Sequence, residues 1–322
     1  MGDSVHHPHD GLVKHTLSKP ENAAALARPI VEDVAPVLAT RIGWAELERE
    51  SVTFVSKHLS HTESDVLYRS TIDGDRPAYI YVLHEHQSSV DKLMAFRLLE
   101  YVLAIWKHHR KTHPGGSDVL PFVLPIVTYA NPKGGSWTAS TQLADLIDVD
   151  DEVRVELDSY LPRLGYLLND LTATPLAEIL ARPGTPATRI LQVLLKVVPG
   201  NTRLHLELRV LESDLRRIDA DELCAVLTYI LSEGDTAAPD LQTLVDDIGP
   251  EAKEAFMSTA SRLRAEGSAD GQVKVLLRLM TQKFGPVPAR VVTAMRGASQ
   301  DQIDVWAGRL LSAKTLDDLG IA

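Results

Sequence analysis

The sequence predicts an α/β protein: a mixed β-sheet flanked by helices, then a helical region and a small C-terminal helical domain. Of the 322 residues, 44% are hydrophobic and 24% charged, as in folded globular proteins. In the N-terminal part, apolar β-rich segments alternate with segments of helical periodicity. In the C-terminal part, helical patterns alternate with proline- and glycine-containing breakers.

A broken helix and three strands come first. Residues His9–Ile30 have a helical pattern that Pro20 interrupts. Val52–His58 is rich in β-branched residues, which indicates a strand. Two longer runs, Ser64–Ile72 and Ala78–Gln87, flank a glycine-containing turn and predict a β-hairpin.

A crossover helix and a fourth strand complete the predicted sheet. Apolar residues recur at helical spacing from Asp91 to His113, and Pro114-Gly115-Gly116 ends this pattern. Val119–Tyr129 is apolar and β-rich, although Pro121 and Pro125 remove ladder donors. A strand, a helix and a strand in this order form a right-handed unit with parallel strands. The expected order is therefore α-β-β-β-α-β.

The remaining segments have helical patterns. They are Glu152–Leu168, Leu176–Ala181, Thr188–Val198, His205–Ile218, Asp221–Glu233, Glu251–Glu266, Val273–Phe284, Ala289–Met295 and Gln300–Leu311. The glycine-containing residues 267–271 are interpreted as a hinge. These patterns predict an α/β domain at 1–150, a helical region at 151–266 and a small helical domain at 272–322.

Composition and absent motifs exclude several classes. Cys224 is the only cysteine, which excludes a disulfide framework and a cysteine-rich zinc site. There is no P-loop or serine-hydrolase elbow, and no secretory signal. The longest apolar run, Val119–Ala130, is too short to span a bilayer, so we expect a cytoplasmic protein with no membrane partner. The net charge of −11 opposes non-specific coating of nucleic acid but allows a local basic patch.

Two carboxylates in the predicted hairpin suggest metal chemistry. If facing positions sum to 150, Asp65 lies directly opposite Glu85 on one face of the sheet. Facing like charges are destabilising, whereas Mg²⁺ binds one or two carboxylates together with water and phosphate oxygens. Gln87 projects from the same side of the strand as Glu85. In the alternative, the register differs by one residue, Asp65 begins a strand at a solvent-exposed edge of the sheet, and Glu85 is solvated.

Several segments are similar to a known family. They are Glu63–Arg69, Tyr81–Ser89 with its Glu-x-Gln-Ser motif, Pro8-His9-Asp10 with Lys14, Met94–Tyr101 with Arg97, Leu120–Tyr129 with Trp137, and Met257–Ala260 with Arg264–Gly267. These segments resemble the Rpn family of recombination-promoting nucleases, also described as putative transposases, of the PD-(D/E)XK nuclease superfamily. The tail Lys274–Gly320 resembles a short C-terminal domain of unknown function.

The resemblance implies a restriction-endonuclease-like core and a DNA endonuclease that uses Mg²⁺, with Mn²⁺ or Ca²⁺ as alternative ions. Asp65, Glu85 and the backbone carbonyl of His86 would bind the ion. Gln87 stands where the superfamily has a lysine; an amide can orient water but brings no positive charge. Lys92 or Lys14 would then supply the compensating charge.

Other features have two interpretations. Asp10 completes the metal shell, or it is an acid favoured at a helix N-terminus and paired with Lys14. Lys107, Arg110 and Lys111 bind DNA phosphates, or they are cations favoured at a helix C-terminus.

The resemblance makes DNA the expected partner, and a homo-oligomer would suit cleavage of two strands. The alternative function is a catalytically degenerate nuclease fold that acts as a DNA-binding or regulatory module.

Overall fold

A five-stranded mixed β-sheet is the scaffold of the protein, seen in a computed structural model that describes residues 8–52, 65–85, 89–114 and 118–321. The strands are β1 Glu48–Glu50, β2 Val66–Ile72, β3 Arg76–Glu85, β4 Phe122–Tyr129 and β5 Leu167–Asp170. They lie in the order β1-β2-β3-β4-β5. The pairs β1–β2 and β2–β3 are antiparallel, whereas β3–β4 and β4–β5 are parallel. The predicted mixed α/β class is confirmed.

Helices make up most of the remainder. The α-helices are α1 Pro8–Thr16, α2 Pro20–Val34, α3 Pro36–Arg41, α4 Met94–Thr112, α5 Asp151–Leu157, α6 Leu176–Ala181, α7 Pro186–Val197, α8 Leu204–Glu207, α9 Glu212–Leu215, α10 Ala220–Glu233, α11 Ala238–Ile248, α12 Pro250–Phe284, α13 Ala289–Arg296 and α14 Gln300–Ser312. Short 3₁₀ helices cover Trp44–Glu46, Leu143–Leu146, Leu208–Leu211 and Asp317–Leu319. Within the described ranges, none of these helices is long and apolar enough to cross a bilayer.

The chain forms two compact units, Met1–Ala255 and Phe256–Ala322. In the second unit, apolar side chains of α12, α13 and α14 form a separate core that includes Met280, Met295 and Trp306. A capping box at Ser299 begins α14. The domain divisions expected near residues 150 and 271 stay predictions.

Helices cover both faces of the sheet in the first unit, which explains why β3 and β4 are almost continuously buried. On one face, strand and helix residues form a core with α4: Leu67, Tyr79, Tyr81, Leu83, Val127, Met94, Leu98, Tyr101, Val102 and Ile105. Residues of α1, α2 and α7 meet the other face around a small void lined by Val13, Leu17, Leu26, Val82, His84, Thr128, Leu191, Gln192 and Leu195.

Polar contacts join the N-terminal helices to the helical region. Lys19 contacts Asp219 at 2.6 Å and Glu222 at 2.8 Å. These two acids form the capping box that begins α10. The Thr185 hydroxyl, which caps α7, also donates to Asn22 Oδ1 at 2.7 Å. Residues on either side of position 150 therefore belong to one compact unit.

The hairpin forms as predicted, but its register differs. The turn is Asp73-Gly74-Asp75, in which Asp73 and Gly74 have positive φ angles of 56° and 81°. Facing positions sum to 148, because the pairs run from Ile72 with Arg76 to Val66 with Val82. Asp65 is therefore not directly opposite Glu85, and continuing the register places Asp65 opposite Leu83 instead. A shift of two positions preserves the alternation of side chains, so Asp65 and Glu85 still project from one face.

The segment Glu152–Leu168 is not one helix. Helix α5 ends at Leu157, and Leu167–Asp170 forms the edge strand β5 beside β4. Pro162 and Gly165 lie between them and interrupt the helical pattern. The short run of apolar residues before Asp170 fits a helix or a strand, and pairing with β4 decides between them.

Other boundaries also differ from the prediction. The supposed hinge at 267–271 lies inside α12, so the helices predicted on either side of it are one helix. The segment His205–Ile218 is divided into α8, a 3₁₀ turn and α9, and α11 was not predicted. The predicted strand Val52–His58 falls, from residue 53 onward, outside the described residues, while the short strand β1 was missed.

Two leucines of α4 test this packing. We expect Leu98→Ala to lower the free energy of unfolding by about 2–5 kcal/mol, because Leu98 is fully buried against the sheet and its removal leaves a cavity. Leu103→Ala on the same helix, where the leucine is 40% exposed, should change it by no more than about 0.5 kcal/mol. Urea denaturation of both variants measures the difference, and equal losses would contradict the packing described.

Candidate functional site

Two buried carboxylates lie on the α4 face of the sheet. Glu85 is the last residue of β3 and is 1% exposed, and Asp65 immediately precedes β2 and is 3% exposed. Because β2 and β3 are antiparallel, the start of β2 and the end of β3 lie at the same edge. That edge is also where the parallel strands β3, β4 and β5 end, the usual position of ligand sites in open α/β sheets.

Tyr81 holds Asp65. Its hydroxyl donates a 2.6 Å hydrogen bond to Asp65 Oδ2. Burial raises the pKa of Tyr81 well above the ordinary value, and the charge of Asp65 raises it further. Tyr81 is therefore a proton donor at every physiological pH, and it fixes one oxygen of the carboxylate. The Tyr81 ring packs against Tyr101 of α4, with ring centres 5.1 Å apart.

Arg97 holds Glu85. From the first turns of α4, Arg97 Nη1 lies 3.0 Å from Glu85 Oε2 and 3.6 Å from Asp91 Oδ2. Arg97 Nε donates to the Tyr101 hydroxyl at 3.1 Å. The Arg97 side chain is 20% exposed, so one guanidinium links a buried carboxylate to the protein surface.

The environment of Glu85 disfavours its charged form. Burial raises the pKa of Glu85, the opposing effect of Arg97 only partly offsets this, and the charges of Asp91 and Asp65 raise it further. Glu85 Oε1 is buried, and no described residue donates a hydrogen bond to it. A buried carboxylate oxygen without a donor is destabilising, which is typical of a group whose partner is a ligand.

Asp65 and Glu85 carry the type of oxygen ligand that a hard divalent cation binds. Mg²⁺ prefers carboxylate oxygens and completes its shell with water and substrate phosphate. Within the described ranges, no cluster of three or more histidine, cysteine or acidic side chains could hold a metal ion. An ion held by these two side chains alone would take the rest of its shell from water and phosphate oxygens.

The other predicted site residues have different positions. His86 and Gln87 lie outside the described residues. The Lys92 ammonium donates to Thr138 Oγ1 at 2.6 Å and to the Thr138 carbonyl at 3.2 Å. Asp10 and Lys14 are on α1, which packs against the opposite face of the sheet from Glu85.

The basic end of α4 is remote from the carboxylates. Lys107, Arg110 and Lys111 are exposed near the C-terminus of the helix. At about 1.5 Å per helical residue, Arg110 lies about 20 Å along the axis from Arg97. These cations are therefore not part of the carboxylate site, although a bound duplex is long enough to span the interval.

Three site residues were missed as participants by sequence reasoning: Tyr81, Arg97 and Tyr101. One signal for Arg97 was available. Arg97 is three residues after Met94 and four before Tyr101, so it falls beside the buried stripe of α4. A charged residue beside such a stripe requires a buried partner, and Glu85 is that partner.

A family model described as "putative transposase, YhgA-like" matches residues 7–223 of the chain. No solved structure matches the chain.

Curated relatives from Escherichia coli K12 match over most of the chain. "Recombination-promoting nuclease RpnA" is 29% identical over 302 residues, 92% of this chain and 96% of the relative. "Recombination-promoting nuclease RpnC" is 31% identical over 235 residues, 73% of each chain. "Inactive recombination-promoting nuclease-like protein RpnE" is 30% identical over 291 residues, 86% of this chain and 91% of the relative. The relatives therefore include proteins named as nucleases and a protein named as inactive.

The raised pKa of Glu85 has a consequence for stability. The native state binds this proton more tightly than the unfolded state, so Glu85 lowers wild-type stability as the pH rises from about 4.5 through the folded-state pKa. We expect the stability of Glu85→Gln relative to wild type to increase over that interval and then level off. Urea denaturation between pH 4 and 8 measures the difference.

Asp73→Asn is the matched control. The hydrogen bond from Arg41 lowers the pKa of Asp73. We expect Asp73→Asn to lose an amount of stability that is constant above about pH 5, where aspartate is ionised in both the native and the unfolded state. A flat or falling Glu85→Gln difference would contradict the electrostatics described for the site.

Proposed function

The chain belongs to the YhgA-like putative transposase family, and we propose that it is a metal-dependent endonuclease of PD-(D/E)XK type that hydrolyses phosphodiester bonds in DNA. The proposal rests on the buried pair Asp65 and Glu85, which share one face at the ligand-binding edge of the sheet. The names of RpnA and RpnC support nuclease chemistry. We propose the same cleavage as the source of any recombination-promoting activity.

The residues have separate roles in this proposal. Asp65 and Glu85, with the His86 carbonyl, would hold Mg²⁺, or Mn²⁺ or Ca²⁺ in its place. When bound, such an ion polarises the scissile phosphate and lowers the pKa of a bound water. Tyr81 and Arg97 each fix one oxygen of the two carboxylates, and Glu85 Oε1 keeps a lone pair that no described donor uses. The amide of Gln87 would orient the attacking water.

A second candidate function follows from the relative named as inactive, RpnE. A nuclease fold that has lost catalysis would act as a DNA-binding or regulatory module, and Gln87 in place of lysine is compatible with this. The presence of both buried carboxylates favours the enzyme, because burial disfavours the charged form of Glu85 and makes such a pair costly to stability.

Cleavage assays with site variants distinguish the two functions. We expect the purified protein to nick or cut duplex DNA with Mg²⁺ present, and EDTA to abolish cleavage. Asp65→Asn and Glu85→Gln should each lower the rate about 100-fold or more, because each removes an ion ligand while preserving shape. Asp75→Asn, at the exposed turn of the same hairpin, should retain wild-type rate. Cleavage that survives both site substitutions would contradict the assignment.

The basic end of α4 gives a separate prediction about DNA affinity. If Lys107, Arg110 and Lys111 contact phosphates, replacing all three with alanine should make the slope of log K against log salt shallower by about 3. Fluorescence anisotropy with a labelled duplex and the Asp65→Asn protein as background measures the slope without cleavage. Arg28→Ala, on α2, should leave it unchanged. An unaltered slope in the triple variant would assign these cations to the helix dipole alone.

A further inference from the structure

We propose that Arg97 is the phosphate-binding cation of the carboxylate site and provides the positive charge that Gln87 lacks. This inference rests on the proposed nuclease function and adds to it a residue that contacts the scissile phosphate. It also predicts how the site binds DNA in the absence of any catalysis.

The guanidinium of Arg97 has unused donors at the site. Arginine carries five N–H groups, and those of Arg97 Nη1 and Nε account for its contacts with Glu85, Asp91 and Tyr101. Arg97 Nη2 makes no hydrogen bond with a described residue, and the side chain is 20% exposed. Arg97 can therefore keep its contact with Glu85 while the rest of the planar fork binds an anion from solvent.

The negative charges at the site favour a cation beside the carboxylates. When all three carboxyl groups are ionised, as a bound divalent ion would favour, Asp65, Glu85 and Asp91 contribute three negative charges, and Arg97 contributes one positive charge. A divalent ion would balance the remaining two. Without Arg97, the ion would leave an uncompensated carboxylate facing the incoming phosphodiester, and the two anions would repel each other.

Other cations are less suitable. Lys92 is bound to Thr138, and Lys14 lies on α1 at the opposite face of the sheet. Lys107, Arg110 and Lys111 lie at the far end of α4. Of the cations in the described ranges, Arg97 is the one that contacts a site carboxylate directly, so it is also the one that reaches a phosphate held there.

Replacing Arg97 separates phosphate binding from a purely structural role. Arg97→Gln removes a positive charge 3.0 Å from a metal ligand, which relieves repulsion of a divalent ion and removes an attraction for phosphate. Metal affinity and DNA affinity should therefore change in opposite directions. If Arg97 only positioned Glu85, its loss would misplace the ligand and weaken both.

The experiment compares three variants of the full chain. Calorimetry with Mn²⁺ alone measures ion binding, and anisotropy with a duplex in Ca²⁺ measures DNA binding. We expect Arg97→Gln to bind Mn²⁺ about 30-fold more tightly, the water-screened effect of removing a unit charge at about 4 Å from a divalent ion, and DNA about tenfold more weakly. Arg97→Lys should recover part of the DNA affinity. Arg189→Gln breaks a comparable buried ion pair, 2.8 Å from Asp214, and controls for general destabilisation.

The outcomes are distinguishable. Weaker DNA binding without weaker Mn²⁺ binding supports the proposal, whereas a parallel loss of both, or unchanged DNA affinity, overturns it. Absence of cleavage by the wild-type protein would refute the proposed function and leave both binding tests of Arg97 valid. If the wild-type protein binds no Mn²⁺, the proposal is judged on DNA affinity without metal: a loss in Arg97→Gln that exceeds the loss in Arg189→Gln supports it, and equal losses overturn it.

Discussion

The burial of two like-charged carboxylates at one edge of an otherwise apolar sheet is the constraint on which the site depends. Transfer of a carboxylate from water into such a position is costly unless hydrogen bonds or opposite charges compensate. Tyr81 compensates Asp65, and Arg97 compensates one oxygen of Glu85. The second oxygen of Glu85 has no donor among the described residues, and burial raises the pKa of this group. A positive charge beside this second oxygen would stabilise the ionised form of Glu85, and a hard divalent ion would supply that charge.

The architecture explains why these groups meet. The antiparallel hairpin brings the start of β2 to the end of β3, and the parallel pair β3–β4 requires a crossover, which is α4. Because α4 begins beside the edge where β3 ends, its first turns bring Arg97 and Tyr101 to the carboxylates. The same fold can serve an active nuclease or a relative that has lost catalysis. The relatives of this chain include a protein named as a nuclease and a protein named as inactive. The fold alone does not distinguish them.

Much of this arrangement follows from the sequence, because it depends on local patterns. The hairpin, the crossover helix and the same-face relation of Asp65 and Glu85 follow from period-two alternation and a glycine-containing turn. The predicted register of β2 with β3 was wrong by two positions, because the length of the turn depends on the φ angles of Asp73 and Gly74. Strand β5 depends on its pairing with β4, which local breakers do not reveal. Helix α12 continues through Gly267 and Gly271, because glycine lowers helix propensity without necessarily ending a helix. The pattern of α4 indicates that Arg97 lies beside a buried stripe, but its pairing with Glu85, twelve residues away, depends on how α4 packs.

A crystal structure of the protein soaked with Mn²⁺ tests the central claim most directly. The account predicts an anomalous peak at about 2.1 Å from an oxygen of Asp65 and from Glu85 Oε1, with Arg97 still in contact with Glu85 Oε2. A manganese ion bound elsewhere, or bound without contact to either carboxylate, would contradict it.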